Sequence, residues 1–345
     1  MSNMVSPKRT SKASLFFRKT TLEITMSETM RIFLDDGSTG TKIAFIKDDE
    51  LFTTTIANRA ELGLGVQDSS DKNSGTYTVL TDEREVTFTF YPECRALRTA
   101  NIAYQYGALG VAAIHHALHS LGFSGRELDV CVTLPISEFY TNGRVNKENI
   151  KRKIANVKTP VSCEGKKDIT IAQVQVYPEG IPASYVKLTE NGKSVSDDDV
   201  TFLGDLGGTT FDLALFAGSA SRIMKCASFP IGMYRTYGAV KNAINTPDCR
   251  DSRIESLLLT GQAGNGRFVI NRNEVTAQVM AEAKNYIDEF LFGEGRVDRF
   301  LLIGGGAELL SEFLSLVDDN NYELIENPTT ALVTSIAKIE LNKRP

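Results

Sequence analysis

No run in the 345-residue chain approaches the roughly 18 consecutive apolar residues that a membrane-spanning helix requires. The N-terminus has no continuous apolar core followed by a small-residue cleavage site, so secretion is not expected. Cysteine is sparse and scattered. The five residues, Cys94, Cys131, Cys163, Cys226 and Cys249, form no Cys-x-x-Cys pair, which excludes the usual zinc and dithiol motifs and fits a reducing cytoplasm. Histidine is rarer still. His115 and His119 have the spacing of a metal pair on a helix, but the metalloprotease pattern requires Glu where His116 stands, and no third ligand is indicated. These three are expected to pack a helix or lie on its surface, and nothing ties a serine to them for nucleophilic catalysis. Excess positive charge is also absent, with 38 Lys+Arg against 43 Asp+Glu. Residues 1–29 carry five basic residues and two acidic ones, leaving −8 for the rest, a poor direct ligand for nucleic acid.

What is present is ordinary globular material: 42% hydrophobic and 23% charged residues exclude wholesale disorder, and the length suits two domains. The first 25 or so residues, rich in Ser, Thr and Lys, read as a flexible tail, with Met26 or Met30 as alternative translation starts. The tail's Phe16-Phe17-Arg18-Lys19 is too short to argue for membrane or DNA. From Met30 onward, apolar runs of strand type alternate with helical stretches, the pattern of an α/β architecture. Strands are expected at 31–34, 41–46, 51–56, 76–80, 85–91, 130–134, 169–171, 174–177, 202–205, 212–216, 222–227 and 300–303. One helix is expected over 102–121, stopping at Gly122. Another is expected over 274–292, with Val275, Val279, Ala283, Ile287 and Leu291 on one stripe and Asn273 as its cap. Residues 189–199, with Gly192 and Asp197-Asp198-Asp199, read as a linker, the acidic triplet being solvated or a cation site.

An internal repeat carries the chemistry. Ile32-Phe-Leu-Asp35-Asp36-Gly37-Ser38-Thr39-Gly40-Thr41-Lys42 recurs in outline as Phe202-Leu-Gly-Asp205-Leu206-Gly207-Gly208-Thr209-Thr210-Phe211-Asp212. In each copy an apolar strand delivers an Asp, small and hydroxyl residues turn the chain, and a second strand returns. Glycine lets backbone N–H groups approach phosphate oxygens, Ser and Thr add short donors, and the Asp can hold hydrated Mg²⁺. Single Asp-x-Gly-x-Thr hairpins are often ordinary tight turns. Two copies one domain length apart instead point to hairpins clasping a polyphosphate from both sides. Lys42 could reach the β- or γ-phosphate as a point charge. The Gly-Lys-Ser/Thr ending of a P-loop is missing. A third cluster, Ile303-Gly304-Gly305-Gly306-Ala307, reads as strand, glycines, helix, and could pack flat on an adenine or ribose. Leu309 stands where a dinucleotide fingerprint wants glycine.

Together with Thr99-Ala-Asn-Ile-Ala-Tyr-Gln-Tyr106, Ile114-His-His-Ala-Leu118, Thr133-Leu-Pro-Ile-Ser-Glu-Phe-Tyr140, Asn149-Ile-Lys-Arg-Lys-Ile-Ala-Asn156 and Pro178-Glu-Gly-Ile-Pro-Ala183, these motifs resemble the ParM (StbA) family of plasmid-segregation actin homologues. That family lies within the actin-like ATPase superfamily. The resemblance runs from about residue 30 to the C-terminus. It implies an actin-like, duplicated ribonuclease H-like α/β fold of two domains with a nucleotide cleft between them. Residues 1–29 would be an extension, 30–190 with a return over 325–345 domain I, and 191–324 domain II. It implies a cytoplasmic ATPase using ATP or GTP with Mg²⁺. Such a protein self-assembles into a filament and engages plasmid DNA through a ParR-type adaptor, with no direct nucleic-acid or membrane contact. By motif position, Asp35 and Asp205 organise the metal, and Gly37, Ser38, Thr39, Lys42, Gly207, Gly208, Thr209 and Thr210 hold phosphates. Gly304, Gly305 and Gly306 border the nucleoside, and Glu179, with Asp205, is catalytic. Read from the residues alone, Glu179 follows a strand between Pro178 and Pro182. It could orient water for attack on the γ-phosphate, or be a helix-start Glu favoured by the dipole. Gly40 departs from the family pattern and is expected only to loosen the turn. A small-molecule kinase of the same fold is the rival, although such enzymes generally need inserted substrate-binding segments and the chain ends 39 residues after Gly306. A chaperone would need a C-terminal peptide-binding domain.

Overall fold

The structure is a computed structural model that describes residues 29–65, 74–92, 94, 97, 102–192 and 194–343. The expected N-terminal tail and residues 99–101 of the Thr99–Tyr106 motif lie outside them. The chain opens with β1 (Met30–Asp36), β2 (Gly40–Lys47) and β3 (Glu50–Ala57), followed by β4 (Ala60–Leu62), β5 (Gly75–Leu80) and β6 (Glu85–Phe90). Then come α1 (Ala108–Ser120), β7 (Glu127–Leu134), α2 (Ile136–Phe139), the hairpin β8 (Tyr140–Thr141) and β9 (Arg144–Val145), and α3 (Lys147–Val157). The strands β10 (Val161–Cys163) and β11 (Thr170–Pro178) and the helix α4 (Ile181–Thr189) complete this part. The second half contains β12 (Val200–Leu206), β13 (Phe211–Ala217), β14 (Arg222–Phe229), α5 (Tyr237–Ala243), α6 (Asp251–Thr260), β15 (Gln262–Ala263), β16 (Phe268–Val269) and α7 (Arg272–Leu291). It closes with β17 (Arg299–Ile303), α8 (Ala307–Val317), β18 (Tyr322–Leu324) and α9 (Ala331–Leu341).

The two major sheets repeat one topology. One runs β3-β2-β1-β7-β11 and the other β14-β13-β12-β17-β18. In both, three antiparallel strands are joined by two parallel ones. The central strands are buried on both faces, and Ile32, Phe33 and Leu34 are at most 1% exposed, so they read as continuous apolar runs rather than alternating ones. A shared core joins Phe33, Ala44 and Cys131 of the first sheet to Leu203, Ala214 and Phe216 of the second, through Ile181 and Leu188 of α4 and Val333 and Ile336 of α9. The two sheets are thus docked through a pair of helices, with the strand ends left facing each other. A smaller sheet, β10-β5-β6-β4, rests on α1.

Several expectations need correction. The helix expected over 102–121 breaks at Gly107: a 3-10 turn, Ile102–Tyr106, precedes α1. The Gly107 N–H donates to the Tyr104 carbonyl at 3.2 Å, which closes the tighter turn. The expected stop holds, since Gly122 takes φ +85° and donates to the His119 carbonyl. Asn271, not Asn273, caps α7, its side chain accepting from Glu274 N–H; Asn273 lies inside the first turn. The strands expected at 169–171 and 174–177 are one strand with an irregularity between Ile171 and Gln173. The short strands β10 and β18 went unpredicted because three residues carry no readable period. His115, His116 and His119 are buried. His116 stacks on Phe90 with centroids 4.4 Å apart, and Tyr77 packs edge-on against it. Asp199 of the acidic triplet pairs with Arg299 at 2.9 Å, while Asp197 and Asp198 are exposed.

Candidate functional site: a cleft between two hairpins

The first hairpin is built on charge pairing. Asp35 and Asp36 end β1 in buried positions, and the ladder sets Lys42 opposite Asp35, where its Nζ lies 2.9 Å from Oδ2. Thr133, at the end of β7, donates from Oγ1 to Asp35 and from its backbone N–H to Asp36, both at 3.2 Å. The turn itself is held from behind by Asn58, whose Nδ2 donates to the Gly37 carbonyl at 2.7 Å. Gly40 does not loosen this turn. It begins β2 and sits so close to β3 that a Cβ would fall 3.3 Å from the Ile56 carbonyl oxygen.

The second hairpin is backed by backbone rather than by side chains. Gly207 N–H donates to the Thr210 carbonyl at 2.9 Å, and the next turn, Met233–Thr236, donates from Met233 and Tyr234 N–H to the carbonyls of Gly207 and Gly208. Gly232 permits this: a Cβ there would lie 2.5 Å from Gly208 C and Thr209 N. The two hairpins meet tip to tip. Ser38 Oγ lies 2.6 Å from Thr209 Oγ1, and a Cβ on Gly208 would fall 2.3 Å from Thr39 Oγ1. Further back, Ser137 and Ser228 hydroxyls touch at 2.6 Å, and Ser228 donates to Asp212.

Two connected hollows flank this meeting point. An inner one of about 60 Å³ is lined by Asp35, Gly37, Ser38, Thr39, Lys42, Glu179, Asp205, Gly207, Gly208, Thr209, Thr210 and Asp212, with Tyr104 and Gln105. An outer one of about 380 Å³ shares Asp35, Thr39, Lys42, Asp205, Gly207 and Gly208, and adds Gly304, Gly305, Tyr234, Tyr237, Glu255, Arg272, Pro328 and Thr329. Every candidate residue except Gly306 therefore lines one of the two. Gly306 instead packs on Leu206 and Met233. Gly304, at φ +99°, lets β17 pass against the second hairpin, where a Cβ would meet Asp205 Oδ1 and the Leu206 carbonyl oxygen at 2.5 Å. Glu179 stands between β11 and the Gly180 that opens α4, so its backbone is at a helix start while its side chain faces the inner hollow. At the outer hollow, Glu255 of the second half pairs with Arg59 of the first and also accepts from Tyr237 OH at 3.1 Å.

The electrostatics are those of an acidic pit. Burial, reinforced by Asp212 and Asp35, pushes the Asp205 carboxyl up to about 7. Burial likewise raises Asp212 to about 6, although Ser228 and Thr210 hydrogen bonds pull against it. Glu179 rises well above the ordinary range through burial and then through Asp212, Asp35 and Asp205. Burial pulls Lys42 down, but Asp35 more than offsets this and the ammonium is held charged. One lysine cannot balance these carboxylates, so the pit favours added positive charge. Its donors are all hard oxygens. Among the described residues, no three His, Cys, Asp or Glu side chains converge as a metal-binding set.

Sequence reading missed Asp212, although the repeat contained it: it follows Asp205 at the spacing by which Lys42 follows Asp35. It also missed Gln105, Tyr234, Tyr237, Glu255 and Arg272, which lie outside any repeated motif.

A duplicated five-stranded α/β unit with two hairpins facing across a cleft defines the actin-like fold. Solved structures sharing it include a 15-stranded ParM filament from Clostridium botulinum, 14% identical with TM-score 0.65 over 92% of this chain and 100% of that one. The archaeal actin homologue Ta0583 in complex with ADP is 14% identical, with TM-score 0.64 over 91% and 100%. Bacillus thuringiensis ParM with ATP is 14% identical, with TM-score 0.57 over 92% and 100%. Residues 30–190 match the N-terminal family of the plasmid segregation protein ParM, and over nine-tenths of its length the chain shares the actin-like fold of these structures. No curated protein matches its sequence. Among the described residues, no helix is long and apolar enough to cross a membrane.

Proposed function

We propose that this ParM-like actin homologue binds ATP with Mg²⁺ between its two hairpins, polymerises in that state, and disassembles after hydrolysis to drive plasmid segregation. The observation that carries the reading is the meeting of Ser38 and Thr209, 171 residues apart, at the mouth of a carboxylate pit. Ser38, Thr39, Thr209 and Thr210 hydroxyls, the N–H groups around Gly37, Gly207 and Gly208, and the Lys42 ammonium offer phosphate donors from both sides. Gly304 and Gly305, with Tyr234 and Tyr237, form the nucleoside wall. Asp35 and Asp205 would hold the hydrated metal, which supplies charge neutralisation for phosphoryl transfer. Glu179, in the inner hollow and with a raised pKa, orients the attacking water and takes its proton. GTP remains the alternative nucleotide.

The reading treats residues 30–190 with 325–345 as domain I and 191–324 as domain II, supported by the packing of α9 onto α4 and β1–β3. A nucleotide gripped by both favours one cleft angle, and the polymer surface changes with that angle. The solved ParM filament supports self-assembly as the productive state. The acidic body calls for a ParR-type adaptor rather than direct DNA contact. Sedimentation of the purified protein with ATP and with ADP tests the proposal: pelleting with ATP and release on hydrolysis is expected. A chain that stays monomeric with ATP yet phosphorylates an added small acceptor would establish the kinase instead.

A further inference from the structure

Beneath the first hairpin lies a buried cation that the nucleotide reading leaves without a role. Lys153 of α3 is 1% exposed. Its Nζ pairs with Asp36 and donates to the Gln105 carbonyl oxygen at 3.2 Å and to Gln105 Oε1 at 2.5 Å. A buried ammonium is tolerated only when its charge is balanced and its hydrogens are bonded. Asp36 does the first, and Asp36 together with the two Gln105 oxygens does the second. The consequence falls on Gln105, itself 7% exposed and lining the inner hollow beside Glu179 and Thr209. Lys153 has donors only, so it must take the amide oxygen, and this settles which way the amide points. The Nε2 hydrogens, which donate to no group among the described residues, are left to meet the hollow.

We propose that Gln105 donates from Nε2 to the terminal phosphate of a bound nucleoside triphosphate, with Lys153 as the positioning residue that holds the amide in that orientation. The inference rests on the nucleotide reading above. A neutral amide adds a donor without adding charge to the pit, and an orientation fixed in advance costs nothing further at binding. A diphosphate presents no oxygen at that point, so the effect is on triphosphate against diphosphate discrimination.

Calorimetric titration of a non-hydrolysable ATP analogue and of ADP, each with Mg²⁺, into wild type and Gln105→Glu is the test. The glutamate keeps an oxygen for Lys153, so the melting temperature is held, but it replaces the donor with a carboxylate. Triphosphate affinity is expected to fall roughly tenfold or more, with ADP affinity changed less than about threefold. Equal losses for both ligands, or none, would overturn the proposal and leave Gln105 as packing for Lys153. Gln105→Ala is expected to lose the same discrimination, and a wild-type ratio in it would likewise overturn the assignment. Lys153→Arg, which keeps a buried donor, is expected to preserve more of the discrimination than Lys153→Met; the reverse order would remove Lys153 as the positioning residue. A wild-type protein that binds neither nucleotide refutes the nucleotide reading itself, a result distinct from all of these.

Discussion

Lys42 and Asp212 occupy the same position in the two hairpins: each faces its lead aspartate across the ladder, Lys42 opposite Asp35 and Asp212 opposite Asp205. The duplication is therefore broken where it matters electrostatically. In the first hairpin the pair attracts at 2.9 Å; in the second it repels, and Asp205 is pushed up to about 7 by burial and by Asp212.

That asymmetry makes Lys42 the sole cation lining the inner hollow among the described residues. Lys42→Met is expected to weaken triphosphate binding by about tenfold to a hundredfold, the usual range for a hydrogen bond to a charged group. Fluorescent-nucleotide titration measures it, and wild-type affinity would dismiss Lys42 as a phosphate ligand.

Glu179→Gln removes the proposed base while relieving repulsion in the pit. Nucleotide should bind at least as tightly as in wild type, phosphate release should slow by about 10²–10⁴-fold, and filaments should persist longer. Unaltered phosphate release would take Glu179 out of the mechanism.

Gly232→Ala tests the backing of the second hairpin. The new Cβ would meet Gly208 and Thr209 backbone atoms at 2.5 Å, and backbone cannot yield as a side-chain tip can. A loss of about 1–3 kcal/mol in denaturant unfolding, together with weakened nucleotide binding, is expected. If both stay at wild-type values, the hairpin is not braced from this side.

The buried histidines set an acid limit on the fold. Burial pulls His115 and His116 down to about 3 and His119 to about 4, whereas in the unfolded chain they titrate near 6.5. Below about pH 6.5 the unfolded chain takes up protons that the native one refuses. Stability should therefore fall as pH drops towards 4, by about 1.4 kcal/mol per pH unit for each histidine. His119→Gln should make that slope shallower in urea titrations between pH 6.5 and 5, and an unchanged slope would contradict the assignment.

The strands flanking each phosphate turn were legible because an apolar run ending in Asp and Gly is a local signal, and the repeat doubled it. Helix boundaries were less so. The break at Gly107 depends on the Tyr104 carbonyl, and the choice of Asn271 over Asn273 depends on which asparagine sits one turn before a free N–H. Gly40 looked like slack in a turn and is a close contact between strands, because its neighbour in space, Ile56, lies 16 residues on. Tyr234, Tyr237 and Glu255 reach the outer hollow from α5, α6 and the turn before them, with no motif to announce them.

Chain order alone set the two acidic turns, the glycines that let backbone come near an anion, and the strand-and-helix alternation, since each arises from neighbours along the backbone. Tertiary packing decided that Ser38 touches Thr209, that Lys153 claims the oxygen of Gln105, and that Asp205 resists ionising. Those are properties of distance and dielectric, and they come into being only when the folded chain packs these groups against one another.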